Sequence, residues 1–166
     1  MSATTAAPLR RLAKRYSFDN HFLDMLIADF TPADWKHRDG EGNNAQWLLG
    51  HLAATRRWAQ RILDPGSADA VPELPWETHF GRGSSTSPES DAMDATELKV
   101  AFVEAGVRLA ALLKGFGPDD LARETAADLP YGKSVDDVAH FLHFHEAYHF
   151  GQIGLLRRGA GKPGAV

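Results

Sequence analysis

The sequence predicts an all-α protein built as a four-helix bundle. Apolar residues recur at helical spacing in four separate stretches, and none shows the period-two alternation of a half-buried strand. Each stretch is also bounded by capping or breaking residues. The 166 residues suit one core of ordinary size, so a single domain over 1–166 is expected.

The first helix is expected from about Pro8 to Phe30. Leu9, Leu12, Tyr16, Leu23, Leu26, Ile27 and Phe30 form its apolar stripe, and Thr31-Pro32 ends it. The second starts at Asn43 or Asn44, with Gln46 spaced to close a capping box from Asn43. It runs to about Leu63 and stops at Asp64-Pro65-Gly66. The third spans roughly Asp91 to Lys114, with Leu98, Phe102, Ala105, Leu109 and Leu112 on one face. The fourth opens at Ser134, with Asp137 three residues on, and continues to Arg158 before Gly159 and Gly161, a glycine-rich stop suited to a left-handed cap. Asp64 to Ser90, rich in Gly, Pro and Ser, is too long for a tight helical hairpin and reads as a crossover or functional loop. A short helix at Asp119–Arg123 and a turn at Leu129–Lys133 are expected before the fourth helix.

Composition narrows the function classes. Eighteen Lys plus Arg against 22 Asp plus Glu give a net charge of −4, and the arginine pairs 10/11, 56/57 and 157/158 are scattered. No basic surface for neutralising phosphates is expected, so nucleic acid is not an expected partner. Cysteine is absent, which rules out disulfides, thiolate metal ligands and a cysteine nucleophile; any thiol in the chemistry would come from a substrate. Met1 to Tyr16 lacks an unbroken apolar stretch, and no window reaches the ~18 apolar residues of a membrane span. A cytoplasmic protein without a membrane partner is the expectation.

The segment His145-Glu-Ala-Tyr-His149 carries the strongest chemical signal. Histidines four apart lie one helical turn from each other and can reach one ion. The literal H-E-x-x-H pattern invites a zinc-protease reading. Such a site takes its third ligand from downstream, yet residues 150–166 hold no His, Asp, Glu or Cys. A third ligand must come from an earlier helix.

At 100° per residue, Val138, Leu142, Gln152 and Leu156 cluster with His145 and His149, so the pair interrupts a buried stripe. His140 and His143 fall on the opposite side. On the second helix, Trp47, Leu48, Thr55, Trp58 and Ile62 cluster around His51, while Arg56 and Gln60 point away. His51 is therefore the third inward histidine, and three leave an open position on an ion. Gln152 either orders a ligand or bonds a neighbouring helix. Glu146 is either a general base at the edge of the site or an exposed helix glutamate. Phe144 and Phe150 lie off the ligand stripe, which suggests a further partner such as a second subunit.

The segments Trp47-Leu-Leu-Gly-His51-Leu-Ala and His145-Glu-Ala-Tyr-His149-Phe-Gly151-Gln152, with the Leu155-Leu-Arg-Arg tail and the Gly161-Lys-Pro-Gly ending, resemble the DinB/YfiT-like superfamily of four-helix bundles. The resemblance covers essentially the whole chain. It implies up-down-down-up order with a long crossover between helices two and three. It also implies a divalent metal, zinc or nickel, on His51, His145 and His149, and often a homodimer. Some relatives are metal-dependent thiol S-transferases using low-molecular-weight thiols. The leading expectation is thus a transferase joining a small-molecule thiol to an electrophile. The Asp64–Ser90 loop, with Trp76 and Phe80-Gly-Arg-Gly-Ser-Ser85, would form part of the pocket, and Arg82 would hold a substrate carboxylate. The alternatives are a metal-dependent hydrolase, assisted by Glu146, and a non-enzymatic metal-binding stress-response protein.

Overall fold

A computed structural model describes residues 7–165; the ends of the domain expected over 1–166, and part of the segment read for a signal peptide, lie outside them. The protein is all-α. Four long helices, α1 (Ala7–Ile27), α3 (Ala45–Leu63), α5 (Ala95–Gly115) and α7 (Val135–Gly159), form the body. Between them stand the short helices α2 (Pro32–Lys36), α4 (Pro88–Ala92) and α6 (Pro118–Leu121), and 3-10 turns at Pro65–Ala70 and Pro75–Phe80. The described residues contain no strand beyond one antiparallel bridge between Glu124 and Ser134. α1 and α3 each pack on both α5 and α7, so α3 and α7 are direct neighbours.

Helix boundaries follow local chemistry. Asn44 caps α3, its side chain accepting from the Trp47 amide at 2.8 Å. Ser134 and Asp137 close a reciprocal capping box on α7. The first helix ends at Ile27, short of the expected Phe30, and Thr31 instead caps α2 with Pro32 in its first turn, where the missing amide hydrogen costs nothing. The third predicted helix is broken into α4 and α5, with Asp94 capping α5. Gln46 does not complete a capping box with Asn43. Its amide instead donates to the carbonyls of Ser90 and Met93 at 2.9 and 2.8 Å, fastening the end of the crossover to α3.

The core has two adjoining parts. Leu9, Leu12, Tyr16, Leu63, Leu109, Leu113 and Val138 belong to one; Leu23, Leu26, Leu49, Leu52, Phe80, Phe102, Phe150 and Ile153 belong to the other. Phe150 is therefore a core residue, edge-on to Phe22 and Phe102, whereas Phe144 is 63% exposed. Of the two, only Phe144 is exposed to meet a partner.

Arg56 and Gln60, on the side of α3 away from His51, are buried as well. The Arg56 guanidinium meets both carboxylate oxygens of Glu146, at 2.6 and 2.7 Å. It also donates to Asn20 and to the Phe102 carbonyl, and lies over the Phe102 ring. Gly106 leaves the room, since a side-chain carbon there would run into the guanidinium. An α3 wedged between two neighbours buries a wider arc than its apolar stripe, and full satisfaction of the charges makes that burial tolerable.

Candidate metal centre

His51 comes from the first half of α3, His145 and His149 from the middle of α7. The packing of α3 on α7 brings them together as the sequence spacing requires. Nε2 of His145 stands 3.1 Å from Nε2 of His51 and 3.1 Å from Nε2 of His149. Among the described residues this is the group of three His, Cys, Asp or Glu side chains with ligand atoms close enough for one ion.

The tautomers are set from behind. Nδ1 of His51 donates to the Phe80 carbonyl at 2.6 Å, and Nδ1 of His149 donates to Oε1 of Gln152 at 2.6 Å. A carbonyl oxygen only accepts, so both rings carry hydrogen on Nδ1 and turn the Nε2 lone pair inward. Gln152 is thus the orienting partner of His149, one of its two readings from sequence. Trp47 stacks on His51 with centroids 5.0 Å apart, and its indole NH donates to the His79 carbonyl at 3.1 Å.

Electrostatics favour the neutral, ligating form. Burial lowers the pKa of His51. It brings His145 down to about 3, with the neighbouring histidines adding to the effect. His149 falls to about 4, again chiefly through burial. The donor set suits a divalent cation: three neutral imidazoles converge, and two nitrogens about 2.0–2.1 Å from one ion lie about 3 Å apart. Among the described residues His145 Nδ1 is buried without a hydrogen-bond partner, so its ring, unlike those of His51 and His149, is not oriented by a hydrogen bond from behind.

A family model described as the DinB superfamily matches residues 19–153, a span that includes all three histidines and Gln152. The chain belongs to the DinB superfamily. None of the curated proteins compared matches it.

Four other histidines of this DinB-superfamily chain lie outside the group of three. His140 is exposed beside Asp136. His143 faces Asp19, 3.6 Å away, and meets Tyr16 edge-on. His37 packs near Gly159, and His79 contributes only its carbonyl to the surroundings of the site. Glu146 is neither an exposed helix glutamate nor a base at the edge of the site: it is 2% exposed and held by Arg56. Sequence periodicity missed this pair because it scores apolar residues, and a buried ion pair reads as two surface charges.

Beside the cluster lies a cavity of about 580 Å³, within the range typical of small-molecule sites. His51 and His145 form part of its wall, with Thr55, Trp58, Phe80, Arg82, Tyr131 and Phe141 among the other contributors. The crossover does reach the cavity through Phe80, Gly81 and Arg82, but Trp76 lines a different groove and touches Phe80 from the side. The crossover is pinned by Glu77, which takes Arg57 and Arg61 at 2.7 Å each and accepts from the Leu74 amide at 3.0 Å.

Proposed function

We propose that the protein is a divalent-metal-dependent transferase that joins a low-molecular-weight thiol to an electrophilic small molecule. One observation carries this reading: three imidazole Nε2 atoms converge, and two of the rings, His51 and His145, line a cavity large enough for substrates. A divalent ion held by His51, His145 and His149 would supply the positive charge that favours the thiolate over the thiol at neutral pH. Zinc or nickel is the proposed metal.

The protein's own part is orientation and shielding. Phe80 and Gln152 fix the rings of His51 and His149, so the ligating nitrogens need no rearrangement when an ion arrives. Trp58, Phe141 and Leu142 in the cavity wall would leave fewer polar partners for water beside the nucleophile, which favours transfer over hydrolysis. The sulfur lone pair forms the new carbon–sulfur bond while the leaving group departs with its electron pair, and the thiol proton passes to solvent. The chain has no cysteine, so the sulfur belongs to the substrate. The hydrolase alternative loses its candidate base, because the Glu146 carboxylate is spent on Arg56.

A cytoplasmic location and a homodimer complete the proposal. No described helix is long and apolar enough to cross a membrane. The exposed Phe18, Phe144 and Leu155 on α1 and α7 supply an apolar face for a second copy.

The deciding experiment combines metal analysis of purified protein with assays on thiol/electrophile pairs, esters and amides. Metal-dependent loss of free thiol supports the transferase. Ester or amide cleavage without a thiol would replace it with the hydrolase, and stoichiometric metal with no turnover would favour the non-enzymatic role.

A further inference from the structure

The cavity beside the three histidines has walls of a particular kind. Tyr131, Phe141 and His145 form a continuous aromatic run, with centroids 5.5 Å apart between the first two and 6.0 Å between the last two. Tyr131 is 69% exposed, so the run leads from solvent to the candidate metal ligand. Trp58, from α3, and Phe80, from the crossover, contribute further rings to the same cavity.

The charged groups in the cavity lining are either paired or exposed. Arg61 and Glu77 meet at 2.7 Å, with Arg57 sharing the same carboxylate. The other ionic side chains lining the cavity, Glu73, Arg82 and Asp128, are exposed and of both signs, so the mouth selects neither an anion nor a cation. A threonine also lines the cavity. Thr55 lies one turn beyond His51 on α3, and its hydroxyl is engaged by no described residue.

We infer that the cavity seats a flat, uncharged aromatic molecule bearing a small hydrogen-bonding group, with the ring among Trp58, Phe141 and Tyr131 and the polar group toward Thr55. Its place as the electrophilic co-substrate rests on the transferase reading; its binding does not. Aromatic walls reward a ring over a saturated body of equal size, because stacked and edge-on pairs add to simple burial. A threonine hydroxyl among apolar walls rewards one donor or acceptor and penalises a charge.

The test is calorimetric titration of the metal-stripped, full-length protein with 2-naphthylmethanol and with its fully saturated decahydro analogue. The aromatic probe should bind about tenfold or more tighter. Phe141→Ala and Trp58→Ala should each weaken it about tenfold, and Thr55→Val should weaken 2-naphthylmethanol several-fold while leaving 2-methylnaphthalene unchanged. Equal affinity for the two probes, or affinity unchanged in both ring variants, would overturn the inference. Should either ring variant fail to fold, cross-relaxation between naphthyl protons and the Trp58 and Phe141 rings of the unaltered protein decides, and its absence refutes the seat. Thiol assays on metal-loaded protein stand apart: an inactive enzyme that still prefers the naphthyl probe rejects the transferase and keeps the aromatic site.

Discussion

The carbonyl oxygen of Phe80 accepts the Nδ1 hydrogen of His51 at 2.6 Å, so a residue of the crossover loop sets the aim of a candidate ligand on α3. The contact depends on Gly50. A side-chain carbon at that position would lie 2.5 Å from the Phe80 ring, and real side chains do not approach so closely. The glycine before the histidine thus admits the Phe80 ring, and with it the carbonyl.

Gly50→Ala should therefore weaken metal binding without removing a ligand. The loss expected from disturbing an outer hydrogen bond to a metal-ligating histidine is about 10–100-fold. Competition against a chelator, with circular dichroism to confirm the helices, reads it. Phe80→Ala in the same chain should restore part of the affinity, since the clash is then absent. An affinity within twofold of the unaltered protein would show that the loop does not govern His51.

Replacing His51, His145 or His149 by Ala should abolish stoichiometric metal binding and, with it, the stabilisation that a ligand bound only to the folded state confers. His140→Ala, at an exposed position beside Asp136, should keep both. Elemental analysis and thermal melts with and without added zinc make the comparison. Full metal content in His51→Ala would remove α3 from the site.

Breaking the buried pair on one side only should be costly. Glu146→Gln leaves the Arg56 guanidinium without its carboxylate, 1% exposed in the bundle, and should lose about 3–5 kcal/mol of stability in urea unfolding. Metal content should be retained if the variant is folded. The double change Arg56→Met, Glu146→Leu should recover most of the loss, because neither charge of the pair remains to be desolvated. A Glu146→Gln protein as stable as the original but over a hundredfold slower would return Glu146 to the chemistry.

Asp19 carries a pH signature. Burial, reinforced by the Glu146 carboxylate, raises its pKa to about 7, against the pull of Arg56. The folded protein then keeps a proton that the unfolded chain releases near the ordinary carboxyl value of about 3.9. Stability from this group falls as pH climbs between those two values and is level above the upper one. Asp19→Asn lacks that dependence, so its melting temperature should gain on the unaltered protein from about pH 4 to 7, then hold a constant lead. The histidines of the site lose stability in the other direction, as pH falls below their unfolded value of about 6.5; they are common to both proteins and cancel in the difference. A difference flat across that range would show that Asp19 is not raised.

For the proposed homodimer, light scattering should give about twice the chain mass of 18.2 kDa. Phe144→Asp with Leu155→Asp, both at exposed positions, should return it to the monomer with the fold intact. Phe150 is no test of the interface, since it fills the core. A monomeric mass in the unaltered protein ends the proposal.

The sequence by itself determined the all-α class, the four long helices and the three inward histidines. These are properties of period and capping, local along the chain: His51 falls among Trp47, Thr55 and Trp58, and His145 and His149 share a stripe with Leu142 and Leu156. Asn44 and Ser134 marked helix starts because a side-chain oxygen caps amides two or three residues ahead. The tertiary structure alone decided what stands behind and beside those rings. The Phe80 carbonyl reaches His51 only because the crossover folds back onto Gly50, and Arg56 meets Glu146 only because α3 and α7 pack side by side. Such contacts join residues far apart in sequence, and their polar members look like surface residues until a neighbour buries them. Periodicity reports which way a side chain faces; whether it meets water, a counter-charge or a substrate depends on the helix placed opposite.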